Sequence, residues 1–261
     1  MLKALNTAAT GMQAQQSNME VISNNMANSS TTGFKRARAE FEDLLYQNQK
    51  EPGAASGLNA VSPTGVQIGL GVKNAAVSRD HTMGNIKVTE NPFDLSIEGK
   101  GFFQVQNQEG DILYTRNGEF KRSGEGVLVD KNGNPLYPEV KLPPDATEVV
   151  ITPRGEVSLM RGINEKPQVA GQIQLATFVN PAGLKALGKN NFAPSPASGE
   201  PQVGMPGRGH FGALAQGQLE GSNVNIVEEM VNMIGAQRTY ETNSKVMQAT
   251  DQMLQNINNL R

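Results

Sequence analysis

Apolar residues recur along this 261-residue chain with two different textures. Near the start, Leu5, Met12, Met19 and Met26 fall every seven residues, and Leu2, Ala8, Ala9 and Ile22 widen the stripe. With one Gly and no Pro before residue 29, this spacing predicts a helix from Leu2 to about Asn28. Near the end, Ile226, Met233, Tyr240, Met247 and Leu254 repeat the interval, flanked by Met230, Val246, Met253, Ile257 and Leu260. Ser222 or Asn223 is the expected cap of this second helix. Glu228 and Glu229 stand in its first turns, where the helix dipole favours acid.

Between the helices the texture changes. Residues 48–73 are rich in Gly, Ala, Ser and Pro and read as an extended connection. From about 76 to 180, β-prone runs alternate with turn signals: Phe93–Ile97, Gly101–Gln106, Ile112–Thr115, Gly126–Val129, Glu148–Thr152 and Gln172–Val179. Asn117-Gly118 and Asn132-Gly133 lie between such runs, and Asn-Gly supplies the positive φ angles of a type I′ hairpin turn. A second Pro/Gly stretch covers 193–212. The expected fold class is α+β: terminal helices forming a coiled-coil-like domain, with an inserted, mainly antiparallel all-β domain. The expected segments are helix 1–34, extended connection 35–75, β domain 76–205, return linker 206–221 and helix 222–261.

The first helix carries unusually little charge. Between Met1 and Phe34 only Lys3 and Glu20 are charged, and the remaining polar surface is Asn, Gln, Ser and Thr. A self-sufficient two-stranded coiled coil carries charge beside its seam, and Asn, Ser and Thr compete with the helical backbone. The two helices could pack on one another as an ordinary small bundle. The sharper reading makes them sticky ends, weakly ordered alone and folded by contact with other subunits.

Composition narrows the function. Lys+Arg 23 against Asp+Glu 25 leaves net −2, which is no footprint for nucleic acid or an anionic membrane. There is no Cys, and the two His stand far apart, at 81 and 210, so thiol, zinc and acid–base chemistry lack material. No enzyme activity, cofactor or metal is expected. Gly207-Arg-Gly209-His-Phe-Gly212 matches a dinucleotide fingerprint, but no strand precedes it and no helix follows at once, so it reads as loop. Asp130-Lys-Asn132-Gly133-Asn134 lacks the spacing and closing Glu of a calcium loop and reads as a hairpin turn. Tyr114, Arg116 and Phe120 read as cross-strand packing before they read as a binding face. No window approaches the roughly 18 apolar residues of a membrane span. The N-terminus has no apolar signal region, so export, if any, is expected without an ordinary cleaved signal.

Three segments bring a family into view. Asn24-Asn-Met-Ala-Asn28-Ser-Ser-Thr-Thr-Gly33-Phe34-Lys35 resembles the N-terminal signature of the axial proteins of the bacterial flagellum, the rod and hook proteins. Ser29 and Ser30 depart from it, where a small apolar residue is usual. The stretch from Ser222 through Gln237-Arg238-Thr-Tyr240-Glu241-Thr-Asn243-Ser-Lys245 resembles the matching C-terminal signature. Gly101-Phe-Phe-Gln-Val and Tyr114-Thr-Arg-Asn-Gly-Glu-Phe120 look like the β domain of the hook and longer rod proteins. Phe41-Glu-Asp-Leu-Leu-Tyr46, Glu51-Pro-Gly53 and Gly65-Val-Gln-Ile-Gly69-Leu-Gly71-Val are most similar to distal-rod members. A proximal rod paralogue or hook-type protein is the alternative, and a secreted β-domain binding module a further one.

The resemblance implies a structural subunit that polymerises into a straight tube passing torque from motor to hook. It implies subunit contacts through Leu5, Met12, Met19, Ile22, Asn24, Met26, Asn28, Gly33 and Phe34, through Phe41, Leu44, Leu45 and Tyr46, and through Ile226, Met233, Arg238, Tyr240, Glu241, Met247 and Leu254. The implied partners are further copies of the chain in a helical homopolymer, proximal rod proteins, the hook protein, the surrounding basal-body rings and the flagellar type III export apparatus. The implied location is the rod spanning the periplasm. Residues 40–72 are expected to lie across neighbouring subunits and lock them.

Overall fold

The computed structural model describes residues 2–51, 55–57, 60–61, 64–143, 148–160 and 168–259. Pro52, Gly53, Pro63 and Leu260, named above, lie outside them. The chain divides into two compact units. One comprises Met1–Met26, Ala37–Ser78 and Asn225–Arg261, the other Ala27–Arg36 and Arg79–Val224.

The first unit is built on two helices, α1 (Leu2–Ala27) and α2 (Ile226–Asn259). Two contacts fix their relation. The Asn25 amide reaches Glu229, and the α-carbon of Gly11 faces Asn243 so closely that a Cβ would lie 3.0 Å from its amide nitrogen. Moving two heptads back along α1 moves two heptads forward along α2, so the helices run antiparallel in constant register. Asn225 caps α2, its side-chain oxygen accepting the Val227 N–H at 3.1 Å. Neither expected cap serves. The Ser222 hydroxyl accepts from Val224, and Asn223 is taken up by backbone groups of Arg36, Asp80 and Thr82.

The stretch read as an extended connection is a long antiparallel ribbon. Ala37–Asp43 pairs with Val72–Arg79, Tyr46–Lys50 with Val66–Gly69, and Ala55–Gly57 with Ala60–Val61. Each pairing nests inside the last, so the described residues of the segment pair as one antiparallel ribbon. Tyr46 sits opposite Gly69, and its ring covers the glycine where a side chain is missing. The ribbon is tied to α1 at three heights: Lys3 to Gln47, Thr10 to the Val72 N–H, and Asn25 to Ala37. From residue 3 to 25 a helix rises about 33 Å, and from 37 to 47 a strand spans about 34 Å. The matching lengths let strand and helix lie alongside one another.

In the second unit the main sheet runs, in spatial order, Lys185–Gly188, Asn191–Ala193, Ile112–Thr115, Phe102–Gln106, Leu175–Thr177, Gln202–Gly204, with Leu136–Tyr137 also pairing Phe102–Gln106. Phe102–Gln106 is buried on both faces. Phe103 and Val105 enter a core with Leu95, Phe120, Leu128 and Leu175, while Phe102 faces Tyr114, Phe178 and Phe192. Tyr114 and Phe120 are core residues, as packing required. A three-stranded sheet, Glu148–Ile151, Glu156–Met160 and Gln168–Gln172, adjoins.

Three local expectations change. Residues 206–221 are not a plain linker: Ala213–Gln216 pairs with Leu95–Glu98 and Gln218–Glu220 with Ile86–Val88, so the returning chain completes the unit. Asn117-Gly118 makes no hairpin, because Ile112–Thr115 pairs elsewhere. Gly118 instead crosses the Leu95 backbone, where a Cβ would collide with the Leu95 carbonyl oxygen at 1.7 Å. Asn132-Gly133 does turn a hairpin, but only Gly133 has positive φ, and the Asp130 carboxylate accepts the N–H groups of Asn132 and Asn134. That is a three-residue loop ending in a left-handed glycine rather than a type I′ turn.

Candidate functional site

The three signature segments meet at one carboxylate. Glu220 ends the returning strand, immediately before the C-terminal signature. Its Oε1 accepts Lys35 Nζ and, at 3.0 Å, the Gly84 N–H; its Oε2 accepts Arg116 Nη1 at 3.2 Å. Lys35 closes the N-terminal signature, and Arg116 stands in the β-domain motif. All three side chains are buried. Lys35 also donates to the Thr82 carbonyl at 2.6 Å, and Arg116 to the Gly99 carbonyl at 2.7 Å. Burial lowers the pKa of both cations against the opposing pull of Glu220. Two cations on one carboxylate make a cluster that loses far more by removal of its anion than any exposed pair would.

Gly33 and Phe34 belong to the same junction. The Gly33 N–H donates to the Glu220 carbonyl at 2.8 Å. Gly33 has φ +69°, and a Cβ there would sit 2.7 Å from the Asn117 nitrogen, so both the turn and the approach need glycine. Phe34 is buried beneath the Arg79 guanidinium. Both residues were expected at subunit contacts; they lie instead inside the chain's own second unit. Beside them His81 stands edge-on between Phe102 and Phe192. Burial, then the charges of Lys35, Arg116 and Arg79, hold its pKa at about 4.

In the first unit the corresponding clamp is Asn25, which is buried. Its Oδ1 accepts the Ala37 N–H at 2.9 Å and its Nδ2 donates to the Ala37 carbonyl at 2.8 Å and to Glu229 at 3.2 Å. The side-chain amide thus does for the end of the ribbon what a neighbouring strand's peptide would do. The sequence reading passed over Asn25, Arg116 and Glu220 as site residues. The first two were legible within the quoted motifs; Glu220 carried no signal, since nothing local distinguishes it from a surface acid.

The helix pair has a buried seam and an uncovered back. Ala8, Ala14, Ile22 and Asn25 of α1 and Glu229, Ala236 and Thr250 of α2 are buried, mostly small or polar groups that let the helices approach. Leu5, Met12, Met19 and Met26, and Met233, Met247 and Leu254, are half-buried at its margins. Ile226, Tyr240, Arg238 and Glu241 are exposed, as is Asn24, and Asn28 is half-buried. A second stripe on α2 faces outward: Val227 (69% exposed), Met230, Val231 (63%) and Ile234. On the ribbon, Phe41, Leu45 (84%) and Tyr46 are exposed, with Leu44 half-buried. Contiguous apolar exposure of this kind marks an interaction surface. Among the described residues no group of His, Asp and Glu is arranged to hold a metal ion, and no helix is long and apolar enough to cross a membrane.

The chain matches known proteins along most of its length. Residues 5–35 match the model of the flagella basal body rod protein family, residues 96–159 that of the flagellar hook protein FlgE/F/G D1 domain, and residues 215–260 that of the flagellar basal body rod FlgEFG protein C-terminal family. The flagellar basal-body rod protein FlgG of Buchnera aphidicola subsp. Acyrthosiphon pisum is 46% identical over 100% of both chains. That of Agrobacterium fabrum is 47% identical over 97% of each, and that of Caulobacter vibrioides 46% identical over 100% of each. With such identity running end to end, this chain belongs to the FlgG family of flagellar basal-body rod proteins.

Proposed function

We propose that the chain is a structural, non-catalytic subunit that polymerises into the straight distal rod of the flagellum and transmits torque from motor to hook. The observation that carries this is the outward apolar stripe of α2, Val227, Met230, Val231 and Ile234, in a chain of a basal-body rod family. The helices pair within a subunit through the seam and between subunits through the stripe, forming the inner wall of a tube. The β unit forms the outer layer. Proximal rod proteins, the hook protein and the basal-body rings are its neighbours in the periplasm. Delivery is through the flagellar type III export apparatus.

The ribbon within residues 40–72 lies across neighbouring copies and keeps the tube from bending; its exposed Phe41, Leu45 and Tyr46 support that reading. Electron cryomicroscopy of the purified polymer tests both parts. The expected result is a hollow helical tube with the helix pairs innermost. Deleting residues 48–63 is expected to curve or soften it. A straight, equally stiff rod after the deletion would remove the locking role, and a wild-type protein that never polymerises would remove the whole reading.

A further inference from the structure

The two Asn-Gly steps of the chain each hold the groups for a reaction of the backbone with itself. The glycine nitrogen, on losing its proton, attacks the asparagine Cγ. The Cγ–Nδ2 bond breaks, ammonia leaves and a succinimide ring forms. Water then opens that ring to aspartate or isoaspartate. Glycine favours the attack, because no side chain restricts the rotation that brings nitrogen to carbon. The structure treats the two steps differently.

Asn117-Gly118 is immobilised. Asn117 is buried, its Oδ1 accepts the Glu119 N–H at 3.1 Å, and its own N–H donates to Thr115 Oγ1 at 3.1 Å. The Gly118 carbonyl accepts the N–H groups of Leu95 and Phe120, both at 3.0 Å, and its α-carbon lies against the Leu95 backbone. Closing a ring there requires a rotation that these contacts oppose.

Asn132-Gly133 stands on an open turn. Asn132 is half-buried, Gly133 is exposed, and a Cβ on Gly133 would meet nothing within 4 Å. Yet both reacting groups are engaged by one residue. The Gly133 N–H donates to the Asp130 carbonyl at 3.0 Å, which holds the proton that must leave. Asn132 Nδ2 donates to Asp130 Oδ2 at 3.2 Å, which holds the departing amide. The buried carboxylate is fixed in turn by the N–H groups of Asn132 at 2.7 Å and Asn134 at 2.9 Å, and by Asn134 Nδ2 at 3.1 Å. Its charge also opposes the negative charge of the attacking nitrogen.

We propose that, of the two steps, Asn132-Gly133 is the one at which the folded chain deamidates, and that Asp130 restrains its rate. The full chain is incubated at mildly alkaline pH, folded and in urea, and conversion at both asparagines is followed by peptide mass spectrometry. In urea the two are expected to convert at similar rates; in the folded chain Asn117 stays intact and Asn132 converts more slowly than in urea. Asp130→Ala is expected to speed Asn132 by about tenfold, the effect of roughly one lost hydrogen bond, with Asn117 still intact. Folded protein that converts Asn117 as fast as Asn132, or Asn132 as fast as in urea, overturns the proposal. So does an unchanged Asn132 rate in Asp130→Ala. Conversion of Asn117 in that variant would report unfolding. Asp130→Asn, which keeps an acceptor and removes the charge, then carries the test, and an unchanged Asn132 rate there overturns the role of Asp130.

Discussion

Asn25 shows what a single side chain can decide. A primary amide has one face that accepts and one that donates, the same pair of functions as a peptide group, and Asn25 offers both to Ala37. Asn25→Asp keeps the size and removes the donor, setting a carboxylate against the Ala37 carbonyl and against Glu229. The expected loss is about 3 kcal/mol, read as a lower urea midpoint, because an unpaired buried charge replaces a satisfied amide. His81 gives a second residue-scale test. Its folded pKa of about 4 lies below the ordinary 6.5. On acidification the unfolded chain therefore takes up the proton first, so the contribution is complete above about pH 6.5 and is lost as pH falls towards 4. Lys35, Arg116 and Arg79 oppose a charge there, while Asp80 favours it. His81→Leu is expected to flatten the fall in stability between pH 6.5 and 4, by up to roughly 3 kcal/mol. Parallel pH profiles for the two proteins would remove the assignment.

At the scale of elements, α2 has two apolar faces with different duties. One meets α1 through small groups, and the other, formed by Val227, Met230, Val231 and Ile234, is exposed. Val231→Asp is expected to leave the monomer's helix content and midpoint within about 0.5 kcal/mol of the parent, as exposed substitutions do, yet to abolish sedimentable polymer. Ala236→Asp, on the buried seam, is expected to lower helix content in the monomer itself. Equal effects from the two would mean that α2 has one working face. The seven-residue period located both helices but could not separate these faces. Period alone gives the direction of an apolar stripe, and here the margins of the seam and the outer stripe are both apolar. The ribbon was harder still. Gly and Pro signalled irregular chain, whereas pairing across the ribbon, with Tyr46 covering Gly69, places Gly57 and Gly69 in strands.

For the whole molecule, the polymer reading has a consequence in solution. Helices this rich in Asn, Ser and Thr have weak intrinsic preference, and their seam buries few large side chains. In dilute protein the amides of α1 and α2 are expected to exchange hydrogen roughly 100-fold faster than in the rod, while the core strands Phe102–Gln106 and Leu175–Thr177 exchange equally slowly in both. Firm protection of both helices in isolated protein would argue that they are an ordinary bundle. Sequence by itself determined the α+β order, the two terminal helices, most core strands and the family, because period, turn residues and short motifs are local quantities. Tertiary structure alone decided that Gly33, Phe34 and Lys35 turn inward, that the returning chain from Ala213 to Glu220 is part of the β unit, and that Glu220 is the anion on which three distant segments converge. Those facts depend on which groups burial leaves without water, and a buried charge takes its partner from wherever the fold delivers one.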